Sequence, residues 1–187
     1  ARELAKQVDI VAVNFRPGIA EKLGITYEIL SAENPRLIYC QTTAFGTEGE
    51  DSRRPGMDPV IQALSGLMQL TGDDKTGPLK TGMPYADLIT PLLSTIGVMA
   101  AIEARHKTGR GQRVDLSMID ATIYSMIPRD SYYFSTNETP GRLGNAHWQI
   151  VPYTTYETSD GRHMMVIAHT DKFWRALAGA LGADELL

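Results

Sequence analysis

The chain has 187 residues, of which 43% are hydrophobic, 7% aromatic and 21% charged. This composition is typical of a globular protein with one sizeable core or slightly more, and it excludes a disordered tail, a coiled coil and a collagen-like repeat. Lysine and arginine number 18 against 22 aspartate and glutamate residues, a net charge of -4. That charge argues against nucleic-acid binding through overall electrostatics.

A single cysteine, Cys40, allows no internal disulfide and no cysteine pair for a zinc site. We therefore expect a cytoplasmic location and no metal. The chain has no initiator methionine and no signal-peptide pattern, and both ends resemble the middle of a helix, which indicates a fragment. The apolar stretch 88–102 is interrupted by polar residues and a proline, so we expect no membrane span.

The first part of the chain alternates helical and strand patterns. The predicted elements are, in chain order, a helix at 4–8, a strand at 9–15, short helices at 19–23 and 27–32, and a strand at 36–43. Both strands are apolar runs of the kind expected when a strand is buried on both faces. Strands joined by helical segments of this length predict βαβ units and a Rossmann-like parallel sheet.

A polar loop at 46–56 precedes two helices of different character. Asp58 and Pro59 open the first helix, with Asp58 predicted as its N-cap. The longest helix is predicted at 88–106 and is apolar almost all round, so we expect it to be buried. A third strand is predicted at 112–117.

The pattern changes towards the end of the chain. A helix at 119–134, which Pro128 should kink or end, leads into a loop at 135–144; strands at 151–158 and 163–168 predict a hairpin, and an amphipathic helix follows at 171–181. We therefore predict an α/β chain in two parts, an incomplete large domain at 1–140 and the start of a smaller α+β domain at 145–187.

The sequence lacks the glycine fingerprint of dinucleotide sites, a P-loop, a nucleophile elbow and histidines at metal-ligand spacing. The most informative residue is Asp87, which follows the loop 80–84 at the start of the long apolar helix. A carboxylate there can act as a nucleophile or base facing a cleft. It can equally be a first-turn aspartate that only satisfies helix amides.

Asn14, Phe15 and Arg16 close the first strand, at the edge where open α/β sheets bind ligands. Arg16 could pair with a phosphate, or the segment could simply be a turn that ends the strand. A cationic cluster at 105–113 could likewise be an anion-binding patch or a solvated helix end.

The ordered set of motifs along the whole chain resembles the class III CoA-transferase family, which includes formyl-CoA transferase, carnitine CoA-transferase and the α-methylacyl-CoA racemases. The matching segments are NFRPG at 14–18, AEKLG at 20–24, NPRLIY at 34–39, RPGMD at 54–58, QALSGLM at 62–68, PYADL at 84–88, KTGRGQ at 107–112, and Gly144-Asn145 with Pro152-Tyr153. The resemblance implies a CoA-binding large domain, a longer complete protein and an interlocked homodimer, with no membrane or nucleic-acid partner.

The resemblance also implies roles for individual residues. Asp87 matches the family's catalytic aspartate, which forms an acyl anhydride and then an aspartyl-CoA thioester. Backbone amides near the helix start would stabilise the oxyanions. Asn14 and Phe15 match positions that line the CoA site, Lys22 matches a basic position near the CoA phosphates, and Arg16 stands at a position where relatives vary.

Two departures from the family pattern bear on the reaction. Met57 stands where the racemases have a proton-exchanging histidine, so CoA transfer is favoured over racemisation. The segment 141–148 lacks the run of glycines found in formyl-CoA transferases, which favours an acid larger than oxalate or formate. We expect Arg142 or His147 to approach the acceptor carboxylate. The alternatives are an acyl-CoA racemase or isomerase of the same fold and a catalytically silent CoA-binding module.

Overall fold

The computed structural model describes residues 1–187. Its elements are, in chain order, α1 (Arg2–Ala5), β1 (Ile10–Val13), α2 (Ile19–Leu23), α3 (Tyr27–Glu33), β2 (Ile38–Thr43), α4 (Asp58–Leu64), α5 (Leu67–Leu70), α6 (Tyr85–Thr108), β3 (Arg113–Ser117), α7 (Met118–Tyr124), α8 (Arg129–Thr136), β4 (Tyr153–Glu157), β5 (His163–Ile167), α9 (Asp171–Leu181) and a 3-10 helix at Asp184–Leu186. Strands β1, β2 and β3 form a parallel sheet in that order, and β4 and β5 form an antiparallel hairpin. The predicted α/β class, with a parallel sheet flanked by helices, is confirmed.

The chain divides into two compact units. One combines Ala1–Gln69 with Leu79–Pro140 and contains the parallel sheet, and the other combines Leu70–Pro78 with Gly141–Leu187 and contains the hairpin and α9. In the second unit a backbone hydrogen bond of 2.8 Å from Gly144 N to the carbonyl of Gly72 joins the two segments. The segment Leu70–Pro78 therefore groups with residues that follow it by about seventy positions, which local sequence patterns do not reveal.

The middle strand of the parallel sheet is the most buried. Ile38 and Tyr39 in β2 are fully buried, and Cys40 is buried beside them. Burial raises the pKa of the Cys40 thiol, as expected for a cysteine that packs as a small hydrophobe. Strand β1 lies at the sheet edge, and Ile10 is 38% exposed. Along β1, Ile10 and Ala12 are exposed, whereas Val11 is half-buried and Val13 is buried. Successive side chains of a strand point to opposite faces, so one face of β1 is uncovered and the expectation that this strand is buried on both faces is wrong.

Helix α6 packs closely on the sheet along one side. A Cβ atom at Gly97 would lie only 2.8 Å from Val114 Cγ1, so the glycine allows the helix to approach β3. The hydroxyl oxygens of Thr42 and Ser94 lie 3.3 Å apart across the same contact. At the other end of the helix Arg105 is buried, and its Nη1 donates to the carbonyl of Arg36 at 3.1 Å. This member of the cationic cluster therefore ties α6 to the sheet.

The opposite side of α6 is uncovered. Leu88, Leu92, Ile96 and Met99 follow a helical spacing of three or four residues and are 48–64% exposed. The prediction that this helix is buried is therefore wrong for this face. By length and composition alone α6 could cross a membrane, a criterion that core helices of soluble proteins also meet. The polar residues and the proline in the stretch 88–102 therefore do not by themselves exclude a membrane span, and the absence of a span stays a prediction.

Two helix boundaries depend on individual residues. Helix α4 begins at Asp58 with Met57 in the N-cap position, so the prediction that Asp58 is the N-cap is wrong. The side chain of Asp58 instead serves another helix, as described below. Pro128 stands in the N-cap position of α8 and separates it from α7, which confirms that this proline ends the helix predicted at 119–134.

Candidate functional site

Asp87 lies in the first turn of α6 and is exposed to solvent. The helix dipole stabilises a negative charge at this end. Pro91 is inside the same helix and has no N–H, so the carbonyl of Asp87 receives no hydrogen bond from the residue four positions ahead. The first turn of α6 therefore exposes the carboxylate of Asp87 and lacks one of the usual backbone hydrogen bonds of a helix.

A cavity of about 430 Å³ lies beside Asp87. Asn14 at the end of β1, Met57 before α4, the loop 80–84 and Met118 after β3 contribute to its walls. Because β1 and β3 run in the same direction, Asn14 and Met118 both stand at carboxyl ends of strands, where open α/β sheets bind ligands. The structure thus brings three predicted site residues, Asn14, Met57 and Asp87, around one cavity.

The first amides of α6 are bound by a buried carboxylate. Oδ1 of Asp58 accepts hydrogen bonds from Ala86 N at 2.7 Å and Asp87 N at 3.4 Å, and Leu88 N donates to the carbonyl of Pro84 at 3.1 Å. Asp58 is only 7% exposed. The predicted use of amides at the helix start as oxyanion donors is therefore wrong for these three groups. A side chain from α4, 28 residues earlier than Ala86, already occupies two of them.

The pKa of Asp87 is raised above the usual aspartate value. Partial removal from water is the larger cause, and the negative charge of Asp58 is the second. A carboxylate with a raised pKa is more basic and therefore a better nucleophile, provided that the pH keeps it ionised. The surroundings of Asp87 thus suit a nucleophile or base better than a group that only carries charge.

Gln62 connects Asp58 to the loop that precedes Asp87. It is fully buried; its Nε2 donates to Asp58 Oδ2 at 2.7 Å, and its Oε1 accepts from Thr81 N at 2.9 Å. The hydroxyl of Thr81 donates to the carbonyl of Met83 at 2.6 Å. Gln62 is not among the site residues predicted from the sequence. The signal that could have found it is the spacing of four residues from Asp58 on one helix, at which aspartate and glutamine side chains meet.

Lys80 also lines the cavity and was not singled out from the sequence. It belongs to the loop 80–84, whose position directly before Asp87 was the available signal. No group of three or more histidine, cysteine, aspartate or glutamate side chains in the chain is arranged to hold a metal ion.

The remaining predicted CoA-binding residues lie away from this cavity. Lys22 lines a second cavity of about 810 Å³, together with Arg53 and Thr43. Thr43 is 5% exposed and its hydroxyl has no hydrogen-bond partner within the chain. Phe15 and Arg16 are exposed and line neither cavity. Of the predicted site residues in the first unit, Asn14, Met57 and Asp87 therefore share one cavity, Lys22 lines another, and Phe15 and Arg16 belong to neither.

Arg142 and His147 make local bonds within the second unit. His147 Nδ1 accepts hydrogen bonds from Gln149 N and Ile150 N, each at 3.1 Å. Arg142 Nε donates to the carbonyl of Asp73 at 3.4 Å. These contacts organise their own loops, and an approach of either side chain to the acceptor stays a prediction.

A family model described as CoA-transferase family III matches residues 1–187. The chain belongs to this family. The resemblance noted from the motifs is therefore confirmed across the whole sequence.

Named members of CoA-transferase family III match the chain over nearly its whole length. The succinyl-CoA:mesaconate CoA-transferase of Haloarcula marismortui is 38% identical, and the acetyl-CoA:oxalate CoA-transferase of Acetobacter aceti is 34% identical; each alignment covers 98% of this chain and 47% of the relative. A crystal structure of a CAIB/BAIF family protein from Brucella suis is 38% identical with a TM-score of 0.87, covering 99% of this chain and 49% of that one. The chain spans about half the length of the curated relatives it matches.

Proposed function

We propose that the protein containing this chain transfers CoA from an acyl-CoA donor to a carboxylic acid acceptor, with Asp87 as the nucleophile. The observation that carries the proposal is the position of Asp87, an accessible carboxylate of raised pKa beside a 430 Å³ cavity at the carboxyl ends of a parallel sheet. Membership of CoA-transferase family III supports the same reaction type.

In the proposed reaction, a carboxylate oxygen of Asp87 attacks the thioester carbonyl carbon of the donor. The carbon–sulfur bond of the resulting tetrahedral adduct breaks, so that CoA leaves as a thiolate and a mixed anhydride between Asp87 and the donor acyl group remains. The thiolate then attacks the carbonyl of Asp87, which releases the donor acid and leaves an aspartyl-CoA thioester. The acceptor carboxylate attacks that thioester, and the released thiolate attacks the acceptor carbonyl of the second anhydride and frees Asp87.

A carboxylate nucleophile suits this exchange because an acyl anhydride keeps enough group-transfer potential to remake a thioester without ATP. The oxyanion formed at each step needs positive charge or hydrogen-bond donors nearby. Since Asp58 binds the amides of Ala86 and Asp87, we propose that Lys80 and the side-chain amide of Asn14 supply them from the cavity walls.

We propose that acyl-CoA is bound as a substrate by Asn14, Phe15, Arg16, Lys22 and Met57. Lys22 and Arg53 supply positive charge in the 810 Å³ cavity, and the unpartnered hydroxyl of Thr43 is a hydrogen-bonding group there, which supports phosphate binding. In the cavity beside Asp87, Asn14 would contact the thioester end.

The proposed organisation of the complete protein follows the family. Residues 1–140, apart from the segment Leu70–Pro78 that groups with the second unit, would form part of the CoA-binding domain. Residues 145–187 would begin the small domain of a cytoplasmic, interlocked homodimer. The uncovered apolar face of α6 supports burial against further protein, because contiguous exposed apolar surface of this kind is unusual on a free monomer.

Racemisation is disfavoured because Met57 lines the cavity where the racemases carry a histidine. Moving an α-proton from one face of a substrate to the other requires an acid and a base, and a thioether cannot take either part. The position of Asp87 beside the cavity, together with its raised pKa, favours a reacting carboxylate over a module that only binds CoA.

Trapping with hydroxylamine tests the proposal. The protein containing this chain is incubated with candidate acyl-CoAs, succinyl-CoA first, and hydroxylamine, then digested and examined by mass spectrometry. A hydroxamate at Asp87 supports CoA transfer. Exchange of the α-hydrogen with solvent in the absence of a hydroxamate supports racemisation. If neither the hydroxamate nor the exchange is observed, the silent CoA-binding module is supported. Asp87→Asn should abolish trapping. Asp120→Asn, at an exposed aspartate in the first turn of α7, is the matched control that should retain it.

A further inference from the structure

We infer that Gln62 is a positioning residue that holds Asp58, and through Asp58 the first turn of α6, in the geometry that Asp87 needs for acylation. The inference rests on the proposed function of Asp87. It adds a buried pair of polar residues on α4, of which Gln62 lines neither cavity and acts through Asp58 on the backbone of Asp87.

The orientation of the Gln62 amide is dictated by its partners. An ionised carboxylate only accepts hydrogen bonds, so the group facing Asp58 Oδ2 must be the donor Nε2. The group facing Thr81 N must be the acceptor Oε1, because a backbone N–H only donates. Both contacts require the same rotamer of the amide, so Gln62 has one satisfied arrangement.

This single side chain supports two walls of the cavity. Through Asp58 it fixes the carboxylate that binds Ala86 N and Asp87 N, and through Thr81 it fixes the loop 80–84. Gln62 is fully buried and Asp58 is 7% exposed, so water cannot easily replace a missing partner. The positions of Asp87 and the loop opposite it therefore depend on one buried amide.

Loss of the amide should act on the chemical step. Asp58 Oδ2 would lose its donor, and the carboxylate could then turn away from the helix start. A displacement of about 1 Å at the reacting groups can cost up to about a hundredfold in rate. Binding of the distant part of CoA near Lys22 would be affected much less, because that residue lines a different cavity.

Two substitutions separate positioning from simple folding. Gln62→Met keeps the length and approximate volume of the side chain but removes both hydrogen bonds. Gln62→Glu can reproduce the amide only when protonated, since its O–H then donates to Asp58 and its carbonyl oxygen accepts from Thr81 N. When ionised, it places a second carboxylate against Asp58.

The experiment measures the rate of hydroxamate formation at Asp87 in the complete protein at saturating succinyl-CoA, over a range of pH, with circular dichroism to normalise for folded protein. We expect Gln62→Met to acylate roughly ten- to a hundredfold more slowly than the unaltered protein at every pH, with the half-saturating acyl-CoA concentration changed less than about threefold. The rate of Gln62→Glu relative to the unaltered protein should rise as the pH falls. Gln7→Met, at an exposed glutamine in the same unit, is the matched control and should acylate normally.

The outcomes distinguish this inference from the proposed function. Absence of a hydroxamate in the unaltered protein overturns the proposed function and the inference with it. Normal trapping in the unaltered protein together with a Gln62→Met rate within twofold of it overturns the inference alone. If Gln62→Met does not fold, Gln62→Glu decides: a relative rate that rises at low pH supports positioning, and one that is independent of pH refutes it.

Discussion

Replacement of Asp58 by asparagine should destabilise the first unit, although the side chain keeps its shape. The carboxylate accepts two short hydrogen bonds of 2.7 Å, one from Ala86 N and one from Gln62 Nε2. Asparagine has one accepting oxygen and one donating NH2 group, so one of these contacts becomes a donor facing a donor. Rotation of the Gln62 amide does not relieve the conflict, because it moves the clash to Thr81 N.

The size of the effect follows from burial. A hydrogen bond to a charged group contributes about 1.5–3 kcal/mol, and an unsatisfied buried donor costs about 1–3 kcal/mol. These contributions overlap, and removal of a buried charge offsets part of the loss. We therefore expect Asp58→Asn to lower the free energy of unfolding by about 2–4 kcal/mol.

Urea unfolding of the complete protein, followed by circular dichroism, measures this loss. The matched control is Asp51→Asn, at a half-exposed aspartate whose carboxylate lies 3.6 Å from Arg54 in a surface ion pair. The control should lose less than about 1 kcal/mol, as surface pairs usually do. A loss below about 0.5 kcal/mol for Asp58→Asn would refute the proposed network, since surface substitutions alone reach that size.

Further predictions concern pH and packing. The pKa of Asp87 is raised and its ionised form is the nucleophile, so the acylation rate should fall as the pH drops through a value above 3.8, the usual aspartate value; an acid limb at or below 3.8 would contradict this. In folded Asp58→Asn protein the limb should move to lower pH, because one raising charge is gone. Gly111→Ala should lower stability by about 1–3 kcal/mol, because its Cβ would overlap a backbone carbonyl, and an unchanged urea midpoint would disprove that close approach. Arg105→Met should cost about 2–3 kcal/mol because it removes buried hydrogen bonds, whereas the exposed Arg110→Met should cost less than about 0.5 kcal/mol; equal losses would contradict the buried role.

Residues with strong local signals were placed correctly from the sequence. Alternating and continuous apolar patterns correctly predicted β2 and the hairpin. Glycine and proline residues at the ends of helices correctly predicted α2, α9 and the break at Pro128. Asp87 could be singled out because a carboxylate stands out before an apolar helix. These signals act over a few neighbouring residues, so no knowledge of the rest of the fold is needed to read them.

Packing of α6 could not be read in the same way. Its apolar composition predicts burial, yet four of its large apolar residues, at 88, 92, 96 and 99, are uncovered. A hydropathy pattern records which side chains favour burial, but not whether a neighbouring element lies within reach. That depends on where the rest of the protein packs, and the chain spans only about half the length of its relatives.

The sequence by itself determined the parallel α/β class, the family and the aspartate at the helix start. These features depend only on the order of the motifs and on the types of neighbouring residues, so they can be recognised without knowledge of tertiary contacts. Only the tertiary structure decided what surrounds that aspartate. Asp58, read locally as the cap of its own helix, caps the helix that carries Asp87, and Gln62 holds it there. The hydrogen bonds from Thr81 to Gln62 and from Asp87 to Asp58 join residues that are 19 and 29 positions apart in the sequence. Such bonds depend on how the helices and loops pack, and a pattern of neighbouring residues does not show which distant residues come together.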